Sequence, residues 1–384
     1  MKLFTKSKFL FDPFMIFCII CLVIILPIGF SCDRQTVERR CDESPRLYFY
    51  EDLQGDIPKP FVDLIESAKS KVQIVTSSYN PHSIGFNSYS KLLRNATKRG
   101  LKIEILTNRY DIYKNFANFT DVYYIDKNKI KNHMYVFFAQ ADETSVIYSS
   151  KLLGKYTVFE GDFVLDFKNC KSFAKDASSL FSLLKDYLLN GYSKLYLKKY
   201  IPDISSFPSI TRLPNNGECF FGISPSFLQP PGRFSINSLV STFFESKEDK
   251  NLSILTHSLF SNVEIIGDNL NGLLLSERIG RAALNGSHIK IIIPESEVSS
   301  AKSEYKNLVQ FPSIKISSSK NMNLKYVPTF YTNGNECGFM SMPFEFILYS
   351  KPITVALHIK DKSVAQKLEN HFNRIWNTTK PFVF

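Results

Sequence analysis

The stretch NHMYVFFAQADETSVIYSS, residues 132–150, decides how the chain is read. From Met134 to Ala139 it is apolar and aromatic, the composition of a buried strand. Ala141-Asp142-Glu143-Thr144 is short and polar, which suits a turn, and 145–149 is apolar again. The pattern is strand, tight turn, strand, with a single histidine, His133, at its mouth. Such a histidine is a catalyst, the remnant of one or a bystander, and its surroundings decide which.

The surroundings are a chain of 384 residues, long enough for two ordinary domains, with 44% apolar residues to build cores. Phe (34) and Tyr (19) are abundant, which favours sheets. The formal net charge of +11 permits an anionic partner, but the lysines are scattered, as on a solvated basic surface. At the N-terminus, Lys2, Lys6 and Lys8 precede an apolar run over 14–26 that continues to Phe30. A basic stretch before an apolar core directs a chain to the secretory membrane. As a signal-anchor the run leaves the N-terminus cytosolic, in line with the positive-inside rule. As a signal peptide it is cleaved near Ser31 and the protein is secreted. Either way the remainder faces the lumen of the endoplasmic reticulum, Golgi or endolysosome, or the outside. Five sequons fit that compartment, at Asn95, Asn118, Asn251, Asn285 and Asn377. Beyond the apolar run lie Cys32, Cys41, Cys170, Cys219 and Cys337, an odd number, so at least one thiol stays free or pairs between chains. No cysteine–histidine cluster has metal spacing, so neither zinc nor any other cofactor is expected.

The hydrophobic periods repeat. In the first half, helix 61–71 leads to strand 72–77, helix 89–99 closes at Gly100, and strands at 101–107 and 121–125 follow. Next come the opening hairpin, a strand at 162–167, and a helix with apolar Phe173, Ala177, Leu180, Leu184 and Leu188. The second half runs in the same order. It has helix 239–245, strand 252–257, helix 277–284 closed near Gly286, and strands 289–293 and 314–317. A hairpin around Asn333-Gly334, strand 353–358 and a last helix with Val364, Leu368, Phe372 and Ile375 complete it. So long a period indicates a duplicated α/β domain, not a solenoid. The expected organisation is a cytosolic N-terminus (1–13), an anchor (14–30), a lumenal stem (31–57), a first half (58–194), a linker (195–233) and a second half (234–384). Within that linker, 201–233 is rich in Pro, Ser and Gly and reads as having little regular structure.

Duplicated α/β halves, each with a hairpin beside a groove, resemble the phospholipase D superfamily. The chain is most similar to its membrane-anchored lumenal glycoproteins, a branch with lysosomal single-strand exonucleases and an inactive relative. The local strings are Gly-Leu-Lys-Ile-Glu-Ile-Leu from Gly100, Phe-Glu-Gly-Asp-Phe-Val-Leu from Phe159 and Phe-Asn-Arg-Ile-Trp from Phe372. The resemblance implies two mixed sheets flanked by helices and related by a pseudo-two-fold axis. It also implies an anionic ligand, single-stranded nucleic acid or a phospholipid headgroup. Finally, it implies a disulfide from Cys170 to Cys32 or Cys41, a choice the sequence leaves open.

The family signature is H-x-K-x4-D in each half, followed across the turn by G-[ST]-x-N. Alternate residues of a strand share a face, so the histidine and lysine reach the same phosphate. One histidine attacks phosphorus, the other protonates the leaving oxygen, and the lysines hold the phosphate oxygens. Here the signature is broken. After His133, Tyr135 stands in the lysine slot and Gln140 in the aspartate slot. A one-residue slip lets Asp142 mimic the acid but brings Met134 and Val136 into the other slots. Tyr148-Ser149-Ser150-Lys151 replaces G-[ST]-x-N, keeping only Ser149, and Asp162 falls near an acidic position. In the second half Val327, Thr329 and Gly334 fill the slots, and Ser341-Met342-Pro343-Phe344 replaces the polar motif. The text His288-Ile-Lys290 with Glu295 fits the signature but aligns with the strand after the second helix. His257 ends a strand at the place of Ser77, so it and His288 are the substitute candidates. His82, His358 and His371 read as surface or helix-face residues. The expectation is an inactive relative in which His133, Asp142 and Ser149 are remnants. The alternative is a phosphodiesterase, a nuclease or phospholipase, working with substitute residues.

Overall fold

Gly100 and Gly286 both adopt left-handed backbone, with φ of 86° and 93°, and each closes the second helix of its half. Leu101 N–H reaches back to Ala96 O (3.2 Å), and Ser287 N–H to Ala282 O (3.0 Å), the same helix-ending motif twice. The computed structural model describes residues 39–49, 52–53, 56–77, 86–125, 134–150, 152–153, 162–190, 210–224, 234–235, 239–240, 243–244, 250–259, 275–300, 302–319, 329–340 and 353–382. The readings placed on 1–38, His82, His133, Lys151, Val327 and 341–344 fall outside these described residues.

The first half contains β1 (Arg46–Phe49), α1 (Lys59–Ser67), β2 (Lys71–Thr76), α2 (Phe86–Lys98), β3 (Lys102–Thr107), α3 (Tyr110–Phe116) and β4 (Asp121–Tyr124). It continues with β5 (Met134–Tyr135), β6 (Phe137–Ala141), β7 (Ser145–Ser149), β8 (Phe163–Phe167) and α4 (Lys171–Asn190). The second half contains β9 (Ile210–Arg212), β10 (Glu218–Ser224), β11 (Phe234–Ser235), β12 (Asn251–Leu255), α5 (Leu275–Leu284), β13 (His288–Pro294), α6 (Glu295–Ser300) and α7 (Lys302–Leu308). It ends with β14 (Ile314–Ser319), β15 (Thr329–Thr332), β16 (Cys337–Met340), β17 (Ile353–Lys360), α8 (Lys362–Thr378) and β18 (Lys380–Pro381).

One sheet runs β1-β8-β7-β6-β2-β3-β4. The other contains β10-β17-β16-β15-β12-β13-β14. These are the same path, with antiparallel pairs up to β2 or β12 and parallel pairs beyond. The ladders fix the equivalence residue by residue, because Lys71 pairs with Lys102 where Asn251 pairs with His288. Side-chain layout is kept while polarity is exchanged. Glu104 on β3 lies 3.6 Å from Lys185 of α4. At the equivalent sheet position Lys290 donates to Asn373 of α8 (3.4 Å), while Glu369 of α8 accepts from Ser253 (2.9 Å).

Two segments behave differently from their sequence reading. Residues 210–224, inside the expected linker, supply β9 and β10, and β10 occupies the place that β1 holds in the first half. Its alternation places Cys219, Phe221 and Ile223 in the core, a period of two obscured by the flanking Pro and Gly. The stem also belongs to the fold: β1 pairs with β8, Cys41 N–H donates to Arg212 O (2.9 Å), and Cys41 is disulfide-bonded to Cys170. Cys41 is thus the partner of Cys170, and Cys219 and Cys337 are free and buried.

His358 and His371 are core residues, not surface ones. His358 on β17 lies 3.2 Å from Glu336 Oε2 through Nε2 and 3.3 Å from Tyr331 OH through Nδ1. Gly338 stands between the two on β16, and a Cβ there would collide with the Tyr331 ring. His371 on α8 stacks on Phe49 with ring centroids 3.6 Å apart, tying the stem to the second half. Burial favours the protonated form of Glu336, but His358 and Lys250 outweigh it and hold the carboxyl at about 2. Asp166 on β8 is the opposite case. Burial pushes it to about 6, against Lys168 and Arg46, while Asp63 and Glu43 add repulsion.

Two outcomes follow from this arrangement. The disulfide joins residues 129 apart, so Cys170→Ala should lower stability by about 2–5 kcal/mol in thermal or denaturant melting. An unchanged transition would show that the crosslink constrains nothing. Asp166 has a folded pKa of about 6, above its ordinary 3.8, so folding takes up a proton and stability from this group grows as pH falls through 6. Asp166→Asn should therefore stabilise the protein at pH 7 by roughly 1–3 kcal/mol, with the advantage shrinking towards pH 4. A gain independent of pH would contradict that protonation. Glu336 works in reverse, since its contribution is present above 4.5 and lost as pH falls towards 2.

Candidate functional site

The ladders locate the signature slots. In the first half Thr76 pairs with Phe137. In the second, Leu255 pairs with Phe330, and one residue further on the hydroxyls of Thr256 and Thr329 lie 2.9 Å apart. Phe137 and Thr329 therefore hold the same place. The turns agree, because Asp142 (φ 50°) and Gly334 (φ 80°) are both left-handed. The residues equivalent to the second-half slots are thus Tyr135, Phe137 and Asp142, two positions on from His133, Tyr135 and Gln140. The one-residue slip through Met134 and Val136 does not match the register either.

Each of these residues has another task. Tyr135 leaves the first sheet and pairs with Thr354 of β17, whose hydroxyl donates to Tyr135 O (3.1 Å). Phe137 is 5% exposed and Thr329 fully buried, so neither lysine slot presents a cation. The Asp142 carboxylate accepts the backbone N–H of Lys69 (2.6 Å), Ser70 (3.0 Å) and Lys71 (2.8 Å), clamping the loop between α1 and β2. Burial acts to raise its pKa, but these donors and the Ser70 hydroxyl lower it below the usual carboxylate range. Gln140 donates to Gln73 Oε1 (2.7 Å) on the face that carries α4. Ser149 donates to Phe163 O (2.9 Å), and Ser150 to the buried Asp162 (3.0 Å).

Between the halves lies packed apolar surface. Met134, Val136 and Phe163 share one core with Phe330, Phe339 and Val355. The Phe163 and Phe339 rings are 4.9 Å apart, and the Tyr148 hydroxyl donates to Val355 O (2.7 Å) across the seam.

The substitute histidines do not converge. His257 follows the carboxyl end of β12, half-buried, its Nδ1 without a hydrogen-bond partner. Burial lowers its pKa, while Glu297 works against the shift. His288 begins β13, exposed, opposite Asn251. Six residues of strand separate that point from His257, on the order of 20 Å. Lys290, the other half of the textual match, is engaged with Asn373 and lies over the Trp376 ring (5.6 Å). Among the described residues, no group of His, Cys, Asp and Glu could hold a metal ion. No helix among them is long and apolar enough to cross a membrane. The linear pattern hides this equivalence because the one histidine near the hairpin, His133, anchors it; the left-handed turn residues Asp142 and Gly334 are the signal that reveals it.

No protein-family model matches the chain. No curated protein matches it either. Solved structures do. Phosphatidylserine synthase from Haemophilus influenzae Rd KW20 superposes with a TM-score of 0.56 and 14% identity over 84% of each chain. Polyphosphate kinase from Porphyromonas gingivalis gives 0.54 and 12% over 86% of this chain, which spans 46% of that one. Nuc, a phospholipase D family member from Salmonella typhimurium, gives 0.34 and 16% over 44% of this chain and 99% of that one. With the shared strand path, the first two likenesses make the fold a duplicated phospholipase D-like α/β architecture, two mixed sheets flanked by helices.

Proposed function

We propose that the protein is a non-catalytic relative of phospholipase D-like phosphodiesterases, a membrane-tethered glycoprotein whose duplicated domain faces the secretory or endolysosomal lumen. The observation that carries this reading is the pair of lysine slots, filled by buried Phe137 and Thr329. The family mechanism offsets phosphate charge with two cations and moves protons between two histidines. Loss of preorganised charge stabilisation costs about 3–4 kcal/mol per group. Loss of an acid or base costs roughly another 10²–10⁴-fold in rate. Phe137 and Thr329 supply no cation, and both are buried in the cores of their own halves. A ligand of the class the resemblance implies, single-stranded nucleic acid or a phospholipid headgroup, would be bound rather than cleaved. Exposure of all five sequon asparagines, Asn95, Asn118, Asn251, Asn285 and Asn377, supports the glycoprotein part.

One observation favours a second reading. His257 sits where ligands approach an α/β sheet, and its Nδ1 is unengaged, so a residual diesterase would use it as acid–base group.

The full-length protein should leave single-stranded DNA, RNA and phospholipid diesters at background turnover, and His133→Ala and His257→Ala should change nothing. Cleavage well above background that is lost in either variant would overturn the non-catalytic reading. Separately, endoglycosidase should lower the apparent mass of protein expressed in eukaryotic cells, and the untreated protein should sediment with membranes. Recovery from cytosol without a mass change would contradict the lumenal placement.

A further inference from the structure

We propose that the outer edge of β4 is a homodimer interface, where β4 of a second copy adds antiparallel and makes the first sheet continuous through the pair. β4 ends the path β1-β8-β7-β6-β2-β3-β4, and no strand among the described residues pairs with its other side. Its exposure agrees, since Asp121 is exposed and Val122, Tyr123 and Tyr124 are only half-buried. An open strand edge is a template for another strand. Three strand spacings, on the order of 14 Å, separate this edge from β6 and the signature slots.

The first observation is the fate of the equivalent edge. Asp121 pairs with Glu104 as Lys315 pairs with Lys290, so Val122 and Tyr124 hold the places of Ile316 and Ser318 on β14. There β18 closes the edge antiparallel. Phe382 N–H donates to Ile316 O (3.0 Å), and Lys380 pairs with Ser318. The ladder of β4 gives the same layout independently. Ile125 N–H donates to Thr107 O (2.9 Å), so residues 121, 123 and 125 turn inward to β3, and Val122 and Tyr124 present their N–H and C=O outward. The same two positions carry the outward ladder groups in both halves. Among the described residues, only the second half supplies a strand to meet them.

The second observation names the occupant. Tyr110 and Tyr113 of α3 are 62% and 39% exposed, two of the four large apolar side chains exposed among the described residues. With Tyr124 they form a surface cluster, ring centroids between 5.7 and 6.0 Å apart. Exposed tyrosine is enriched where proteins meet. The outward groups fix the register of a self-pairing. Val122 of each copy faces Tyr124 of the other, each pair exchanging both N–H···O bonds about a two-fold axis at Tyr123. Asp121 then faces Ile125, so no like charges are set opposite each other. Tyr123 lies on the α4 face, where its hydroxyl donates to Glu104 (3.2 Å) and its ring meets Phe181. Val122 and Tyr124 lie on the opposite face, with α3, so both tyrosine clusters meet on one side of the joined sheet. The edge is thus its own complement. Because the ladder is short, the tyrosines supply much of the contact.

The test is sedimentation velocity of the full-length protein in neutral detergent micelles over a concentration range, with hydrogen–deuterium exchange of peptides covering 121–125. A reversible dimer is expected, and exchange at 121–125 should slow as it forms. Tyr110→Lys with Tyr113→Lys alters exposed side chains and sets like charges about the two-fold axis. It should raise the dissociation constant at least about tenfold. Tyr110→Lys alone, at the more exposed position, should act in the same direction. Leu284→Lys, exposed on α5 of the second half, should leave the dimer unchanged. A monomer at every concentration would overturn the proposal, as would a dimer indifferent to the tyrosine charges. Slow exchange at 121–125 already in the monomer would show the edge closed within one copy and would overturn it equally.

Discussion

Met134 and Tyr135 leave the first sheet to pair with β17 of the second, and the rest of the molecule is arranged around that crossing. With the Tyr148 hydroxyl on Val355 O, it joins the halves through backbone groups buried away from water. Such groups must be satisfied, so the seam closes only in one register. Once closed, Phe163, Phe339 and Val355 fill the space between the halves with apolar surface. Phe137 packs with Val72, Ile74 and Ala139 inside the first half, and the Thr329 hydroxyl is bonded to that of Thr256 inside the second. A charged pair of lysines at those two buried places would need water or an anion, and these residues need neither.

The halves have diverged by exchanging polarity at fixed positions. Glu104 on the first sheet answers Lys185 on its helix, while Lys290 on the second sheet stands near Glu369 on its own. Burial acts to raise Glu104, but Lys71, Gln73 and Lys185 bring it to about 2, close to Glu336. Those two carboxylates support the fold at any pH above their ordinary range, whereas Asp166 supports it only once protonated. These three are jointly favourable in mildly acid solution. His257, whose pKa is lowered, pulls the other way.

Much of the fold is legible in the sequence because the repeat is carried by local physics. Gly100 and Gly286 are at left-handed helix ends, which side chains disfavour, so glycine marks both. Ile74-Val75-Thr76 and Ile254-Leu255-Thr256 are equivalent strand ends. Strand β10 is less legible, because its alternation lies between Pro- and Ser-rich flanks and its partner β17 is more than a hundred residues away. The site is harder still. The equivalence of Phe137 with Thr329 is a fact of cross-strand pairing, and the hairpins differ in length. Ala141 faces Ser145 across one turn, and Thr332 faces Cys337 across the other. A linear motif anchored on His133 cannot register that difference. The burial of His358 and His371 is illegible for a related reason, since their partners Glu336, Tyr331 and Phe49 are brought to them only by the sheets and the stem.

The central claim is that the signature slots belong to a closed core. Hydrogen–deuterium exchange of the full-length protein, followed on peptides covering 134–141 and 353–357, tests it most directly. The account predicts protection comparable to the most stable strands, unchanged when vanadate or inorganic phosphate is added. Rapid exchange in both peptides that slows on adding either anion would show an open, phosphate-binding groove and contradict it.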